Sequence, residues 1–256
     1  MRYAHCRWDF RWDCRWVMSA FRQLKRAIMV TFLLVSGAYA NTAIETETAQ
    51  LGKQGEWTFS NSLEYGKGKD GTSGQSLTQF EYGITDRAEI LIEPFFYVWD
   101  HPKGERRRSG AGDLEITPSY MVVLEQGWVP AILVATKFKI PTGSKALGGT
   151  DKVDYYPYLI FGQHYAGWTF NANLGVNFAK NVDTSGYHKR VVWDLETERE
   201  FGNWTTFWEA FQAEDGVKTI STSLQYQVTK HVNGFGVLSR NENHESVLRF
   251  GVNIEF

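Results

Sequence analysis

The residues best suited to covalent chemistry lie near the chain's end. His244 and Ser246 stand two apart, separated by Glu245. On an extended strand that spacing puts both side chains on one face. An imidazole base beside a hydroxyl nucleophile is the minimum needed for acyl transfer. Asn241 and Asn243 are nearby, but no third partner that would orient the imidazole is evident. A second group carries charged and amide side chains at even spacings within each strand: Glu64, Gln79 and Glu81, Glu89 and Glu93, Glu115, Lys137 and Lys139, Asn171 and Asn173, Glu196 and Glu198, Arg249 and Glu255. Polar groups at alternate positions either line a conduit or pair with one another and fill it. His101, His164, His188 and His231 are scattered near turns and do not form a ligand set. A phosphate-binding glycine loop, an HExxH helix and a cysteine metal site are all missing, so neither a metal nor a cofactor is expected.

The elements that position these residues are strands. Of 256 residues, 43% are hydrophobic and 22% charged, which excludes a disordered chain. A mean hydropathy of −0.36 excludes a polytopic helical membrane protein, and a formal net charge of −2 gives no basic signal for nucleic acid. From Gly55 onward the apolar residues alternate. Trp57, Phe59, Leu63 and Tyr65 oppose Thr58, Ser60, Ser62 and Glu64; Leu248, Phe250, Val252, Ile254 and Phe256 oppose Arg249, Asn253 and Glu255. This period of two predicts twelve strands near 55–65, 75–85, 87–99, 111–125, 128–140, 154–163, 167–178, 189–200, 203–213, 217–228, 231–238 and 246–256. Tight connections alternate with long polar ones at 66–74, 100–110, 141–153, 179–188 and 239–245, with a short exception at 214–216. Trp57, Tyr65, Tyr97, Trp99, Trp128, Trp168 and Trp204 fall at strand ends, as interfacial girdles require. The expected fold is therefore all-β: one antiparallel transmembrane β-barrel of about twelve strands, with short periplasmic turns and longer external loops.

The N-terminal part reads as separate from the barrel. Arg22, Lys25 and Arg26 precede an apolar run from Ala27 to Val35 and a small-x-small site at Ala38-Tyr39-Ala40. That order describes a signal peptide over 1–40. Arg7-Trp8-Asp9 and Arg11-Trp12-Asp13 repeat ahead of it, and Met18 gives a start of standard signal length. Cleavage removes both cysteines and leaves a net charge of −7. Residues 41–54 are polar and read as a flexible periplasmic leader, and 55–256 as the barrel.

Several stretches taken in order are similar to a known family. They are Tyr82-Gly83-Ile84-Thr85-Asp86-Arg87-Ala88-Glu89, Gly112-Asp113-Leu114-Glu115, Pro130-Ala131 through Phe138-Lys139-Ile140-Pro141-Thr142-Gly143, and Asn173-Leu174-Gly175. Together, over roughly 55–256, they resemble the outer-membrane transporters associated with the meta-pathway of phenol degradation. The resemblance implies a barrel in the outer membrane of a Gram-negative bacterium that passes small hydrophobic or aromatic solutes.

On that reading the protein is a passive channel, not an enzyme. Its lumen candidates are Glu64, Glu81, Glu89, Glu93, Glu115, Lys137, Lys139, Asn171, Asn173 and Arg249. Pro94 and Pro118 lie inside strands expected to be neighbours, and proline interrupts a ladder, so the two are candidates for a lateral gate into the membrane. Arg106, Arg107 and Arg108 sit in a loop where they could meet lipopolysaccharide phosphates. Expected partners are outer-membrane lipid and lipopolysaccharide, a small-molecule solute, and the outer-membrane assembly machinery through the terminal Phe256. Nucleic acid is not expected. Two alternatives remain: a lipid hydrolase using Ser246 and His244, a pair that resembles those of outer-membrane phospholipases but lacks their following Asn-Gly, and a filled structural barrel.

Overall fold

The computed structural model describes residues 46–147, 151–180 and 186–256. The predicted signal peptide and Met18 lie outside the described residues. Twelve long strands form: β1 (Trp57–Gly68), β2 (Gly71–Thr85), β3 (Ala88–Pro102), β5 (Leu114–Val123), β6 (Ala131–Ile140), β7 (Asp154–Tyr165), β8 (Trp168–Lys180), β9 (Tyr187–Phe201), β10 (Trp204–Gln212), β11 (Lys218–Thr229), β12 (Val232–Asn241) and β13 (Ser246–Glu255). A three-residue strand, β4 (Arg108–Gly110), pairs on the edge of β3, and a single 3₁₀ turn covers Lys145–Leu147. Each long strand bonds its sequence neighbours in antiparallel register, and β1 pairs with β13 from Thr58↔Glu255 to Lys67↔Ser246. The sheet is thus a closed barrel with no free edge. Closure lets the strands satisfy one another's backbone groups around the whole sheet, as crossing a membrane with strands requires.

Alternation decides which face each residue takes. Thr58, Ser60, Ser62, Glu93, Glu115, Asn171, Asn173 and Arg249 are buried on the inner face, whereas Leu63, Leu174, Leu195, Leu238 and Phe250 are exposed on the outer one. So many exposed apolar side chains in one continuous band suit hydrocarbon and not water. Aromatic pairs bound the band. At one rim Trp57 packs on Tyr82 and Trp204 on Tyr226, both at 4.5 Å between centroids; toward the other, Tyr155 stacks on Phe178 at 4.6 Å and Tyr65 lies 6.0 Å from Trp99.

One connection departs from expectation. Residues 66–74 do not form a long loop: β1 and β2 pair as far as Gly68↔Gly71, leaving a hairpin of Lys69 and Asp70. The glycines that suggested a loop make room within the sheet. A Cβ at Gly74 would lie 2.7 Å from Trp99 Nε1, so the indole covers this position. Strands reach further than predicted elsewhere at the same end, with β3 running to Pro102 and β12 to Asn241. The opposite end holds the tight turns and the junction of Trp57 with Phe256, whose backbones exchange two hydrogen bonds of 3.2 and 2.8 Å.

Candidate functional site

The inner wall carries two ion-pair clusters. In the first, Lys137 of β6 lies 3.8 Å from Glu93 of β3 and 3.4 Å from Glu115 of β5, while Lys139 lies 3.8 Å from the other oxygen of Glu115. Gln79 donates to Glu93 at 2.8 Å. In the second, Arg249 reaches Glu64 Oε2 through Nε at 3.0 Å and Nη2 at 2.7 Å, and Gln75 donates to the other Glu64 oxygen at 3.1 Å. Each cluster joins neighbouring strands, because pairing brings every second residue of adjacent strands side by side on the same face.

Between these walls runs the chain's own leader. From Thr46 onward the segment expected as a periplasmic leader lies inside the barrel. Thr46 is wholly buried, and its backbone N–H and hydroxyl both donate to Glu209 Oε1 at 2.7 Å. Ser221 donates to the second Glu209 oxygen at 2.6 Å. The Ala49 N–H donates to Asn171 at 3.3 Å, and the Gly52 N–H to Glu89 at 2.7 Å. The amide of Asn173, correctly oriented, donates to the Glu47 carbonyl at 3.0 Å and accepts from its N–H at 2.7 Å. At the turn end the Gln50 amide lies 2.9 Å from His164 Nε2, while His164 Nδ1 lies 2.6 Å from Glu125. Since the Gln50 amide nitrogen can only donate, His164 accepts at Nε2 and donates from Nδ1 to Glu125. The wall is cut to fit the leader. A side chain at Gly162 would collide with Ala49, and one at Gly83 with the Lys53 carbonyl.

The leader also covers an apolar patch. Met121, Leu133, Ile160 and Val192 pack with Tyr156, Tyr158 and Ala49 in one buried cluster, and Leu51 lies against it. The two tyrosine rings stack at 4.5 Å. The lumen is therefore two-sided, with ion pairs on one part of the wall and an apolar and aromatic patch on another.

Sequence parity places Glu64, Glu81, Glu89, Glu93, Glu115, Lys137, Lys139, Asn171, Asn173 and Arg249 on this inner face, but gives no sign that Asn171, Asn173 and Glu89 hold a peptide. It missed Glu209 altogether. On β10 the inner face reads Phe207, Glu209, Phe211, all buried, so hydrophobicity does not separate inside from outside there.

Pro94 and Pro118 lie on adjacent strands, yet the β3–β5 ladder between them is continuous from Ala88↔Tyr120 to Pro94↔Leu114. The openings lie on their far sides. The β2–β3 pairing skips from Leu77↔Phe95 to Phe80↔Ile92, past Pro94, and the β5–β6 pairing skips from Ile116↔Phe138 to Ser119↔Ala135, past Pro118. Pro157 opens a third gap, between Tyr155↔Phe178 and Tyr158↔Gly175. Because Pro157 pairs with Thr136, the gaps at Pro118 and Pro157 flank the β6–β7 hairpin in one row.

In the arginine loop, Arg107 lies over the Trp99 ring at 4.4 Å and donates to the Tyr97 hydroxyl at 2.9 Å. Arg108 pairs with Glu105 at 3.0 Å and approaches Asp100 at 3.9 Å. His244 sits in a turn with positive φ of 63°, and Asn241 is engaged by Glu245 through bonds of 2.9 and 3.2 Å. Among the described residues no hydrogen bond joins His244 to Ser246.

A closed twelve-stranded antiparallel barrel with an apolar outer band and a charged interior defines an outer-membrane-type barrel. The chain matches the family described as "Putative MetA-pathway of phenol degradation" over residues 32–253, and it belongs to that family. Its fold is similar to an outer membrane channel from Pseudomonas putida F1, with a TM-score of 0.66, 13% identity, and coverage of 85% of this chain and 100% of that one. It is also similar to the KdgM porin, with a TM-score of 0.56, 13% identity, and coverage of 77% and 99%. The same porin solved with a disordered oligogalacturonate gives 0.54 at 15% identity, covering 78% and 99%. No curated protein matches this chain.

Proposed function

We propose that the protein is a passive channel in the outer membrane of a Gram-negative bacterium, taking up small apolar or aromatic solutes and closed at rest by its own leader. The observation that carries this reading is the leader itself, whose Ala49 and Leu51 lie against Met121, Leu133, Ile160 and Val192 inside a polar barrel. A lumen that encloses an extended peptide has the bore of that peptide once it leaves, roughly 5 by 10 Å from strand and sheet spacings. A flat single ring passes such an opening. The uncovered wall would offer it an apolar track beside fixed charges, and sugars would find few apolar partners to displace. Two finer elements belong to the same reading. The row through Pro118 and Pro157 offers a sideways exit into the membrane, and Arg106 and Arg107 meet phosphates in the external leaflet. The lipid-hydrolase alternative is weaker, because its base and nucleophile are not joined.

The test is flux into proteoliposomes of the mature chain and of a deletion of residues 41–52. Expected are uptake of a labelled monoaromatic compound in preference to a sugar of similar size, and faster uptake by the deletion. Absence of flux in both proteins would overturn the channel reading and point to the filled barrel.

A further inference from the structure

One sector of the inner wall gathers carboxylates without matching cations. On β9 the inward positions run Asp194, Glu196, Glu198, and on β10 they run Phe207, Glu209, Phe211. Register sets Asp194 opposite Phe211, Glu196 opposite Glu209, and Glu198 opposite Phe207. Like charges directly opposite one another destabilise a sheet, and a buried charge calls for a partner. The inward positions on either side, Thr169 to Asn177 of β8 and Thr219 to Gln227 of β11, include no lysine or arginine. Asn171 donates to Glu196 at 3.0 Å, and Thr46 and Ser221 donate to Glu209. Asp194 Oδ1 and Glu196 Oε2 have no hydrogen-bond partner, although the two residues are only 3% and 2% exposed. Lys137 acts on Asp194 from β6, but it stands 3.8 Å from Glu93 and 3.4 Å from Glu115. His164 acts on Glu198, but its ring is held 2.6 Å from Glu125. The leader adds the carboxylate of Glu47 and brings no lysine or arginine before Lys53.

We infer that this sector is a binding site for a linear diamine entering from the turn end. Among the described residues no three acidic or imidazole groups converge to hold a metal ion, so the negative charge is spread along the strand and not focused on a point. Two residues of strand advance about 6.8 Å, and ordinary bond lengths put the ammonium groups of an extended four-carbon diamine roughly 6 Å apart. One ammonium would meet Glu196 and Glu209, the other Asp194 or Glu198. Phe211 and Phe207, opposite the outer two carboxylates, offer ring faces to an ammonium and apolar contact to the methylenes. A monoamine would leave one end of the acidic run unanswered, and an inorganic cation would leave the rings unused. The way in is a cavity of about 560 Å³ lined by Gln50, His164, Trp168, Glu198 and Glu200. Arg199, also at this cavity, is engaged by the rings of Trp168 and Phe201 at 4.8 and 5.2 Å. The leader, held by Asn171, Asn173 and Glu209, covers Asp194 and Glu196, so the whole seat opens when the leader lifts. The inference thus shares leader release with the channel reading above but not its solute.

The experiment is a calorimetric titration of the mature chain, and of the 41–52 deletion, in nanodiscs of zwitterionic lipid, with 1,4-diaminobutane, butylamine and Mg²⁺ as probes. Asp194→Asn combined with Glu196→Gln removes charge at nearly constant shape. Glu198→Gln, at the half-buried mouth, is the milder variant, and the gel mobility of the unheated proteins checks that each is folded. The diamine should bind about ten-fold more tightly than butylamine, and the double variant should lose about that factor, as expected for one charge-assisted contact. Glu198→Gln should weaken the diamine by about three-fold, since it lies at one end of the seat. Equal affinity for diamine and butylamine would overturn the two-point seat. Displacement of the diamine by an equal concentration of Mg²⁺ would overturn the argument from spread charge. Unchanged diamine binding in the folded variants would overturn the site. Saturable diamine binding in either the mature chain or the deletion supports the site, and its absence from both overturns it. Aromatic flux without diamine binding rejects this site alone, while diamine binding without flux rejects the channel and leaves the site standing.

Discussion

Glu209 is the side chain whose three hydrogen bonds tie the start of the described leader to the wall. Its carboxylate takes two hydrogen bonds from Thr46 and one from Ser221, and bonds to a charged acceptor are worth about 1.5–3 kcal/mol each. Removing the acceptor should shift the balance of docked and undocked leader by at least ten-fold. Glu209→Ala is expected to raise the open fraction in planar-bilayer recordings by about that factor, and Glu209→Gln, which retains an acceptor, by less. An unaltered open fraction in Glu209→Ala, with the 41–52 deletion open, would place the latch elsewhere. Glu125 makes a second tie outside the membrane span. Burial works to raise its carboxyl, but hydrogen bonds from the His164 ring and backbone, and the nearby imidazole, outweigh this and hold it below the usual carboxylate range. A depressed carboxylate contributes stability that is present above its unfolded value of 4.5 and is lost as pH falls through the lower folded value. Wild type should therefore exceed Glu125→Gln in urea midpoint at pH 6, and the difference should shrink progressively as pH falls below 4.5. A gap that does not change with pH would show that the contribution is not electrostatic.

At the scale of elements, the β6–β7 hairpin stands out because proline opens the ladder on both of its sides. Elsewhere the ladders show the gap at Pro94 and single-residue register shifts such as that at Gln227/Thr229, and a missing donor in a closed barrel leaves a local break with no edge to absorb it. Val at Pro118 and Pro157 restores both donors without adding polarity to the outer face. The double substitution is expected to slow uptake of apolar solutes while leaving ion conductance along the axis unchanged. Pro94→Val closes a separate gap against β2 and should have the smaller effect. Equal apolar uptake in the wild type and the double variant would remove the sideways exit. The strands themselves were legible because each half-buried strand alternates. Their ends at 66–74 were not, because Gly, Ser and Thr are common to loops and to strand positions lying under an aromatic ring such as Trp99.

Over the whole molecule, the two ends differ in kind. One carries tight turns, both chain ends of the barrel and the leader's entry; the other carries the longer connections and the arginine loop. If the loop end faces outward, Arg106 and Arg107 are the residues whose charge no carboxylate offsets, since the partners of Arg107 (Trp99 and Tyr97) are neutral while Arg108 is paired with Glu105 and Asp100. Replacing Arg106 and Arg107 by Gln should lower lipopolysaccharide co-purification by several-fold, whereas Arg108→Gln should have little effect. Equal retention in all three would assign the loop to solvent.

The sequence by itself determined the class of fold, the number of strands and which face of nearly every strand is polar. Those properties follow from alternation, which is local and survives any rearrangement of neighbours. Only the tertiary structure decided that Asn171, Asn173, Glu89 and Glu209 hold a peptide, and that the proline gaps flank one hairpin. Each of these joins residues far apart in the chain, through register and closure of the barrel. A hydrogen-bond donor in a polar leader carries no mark of the carboxylate it will meet, 163 residues away in the case of Thr46 and Glu209.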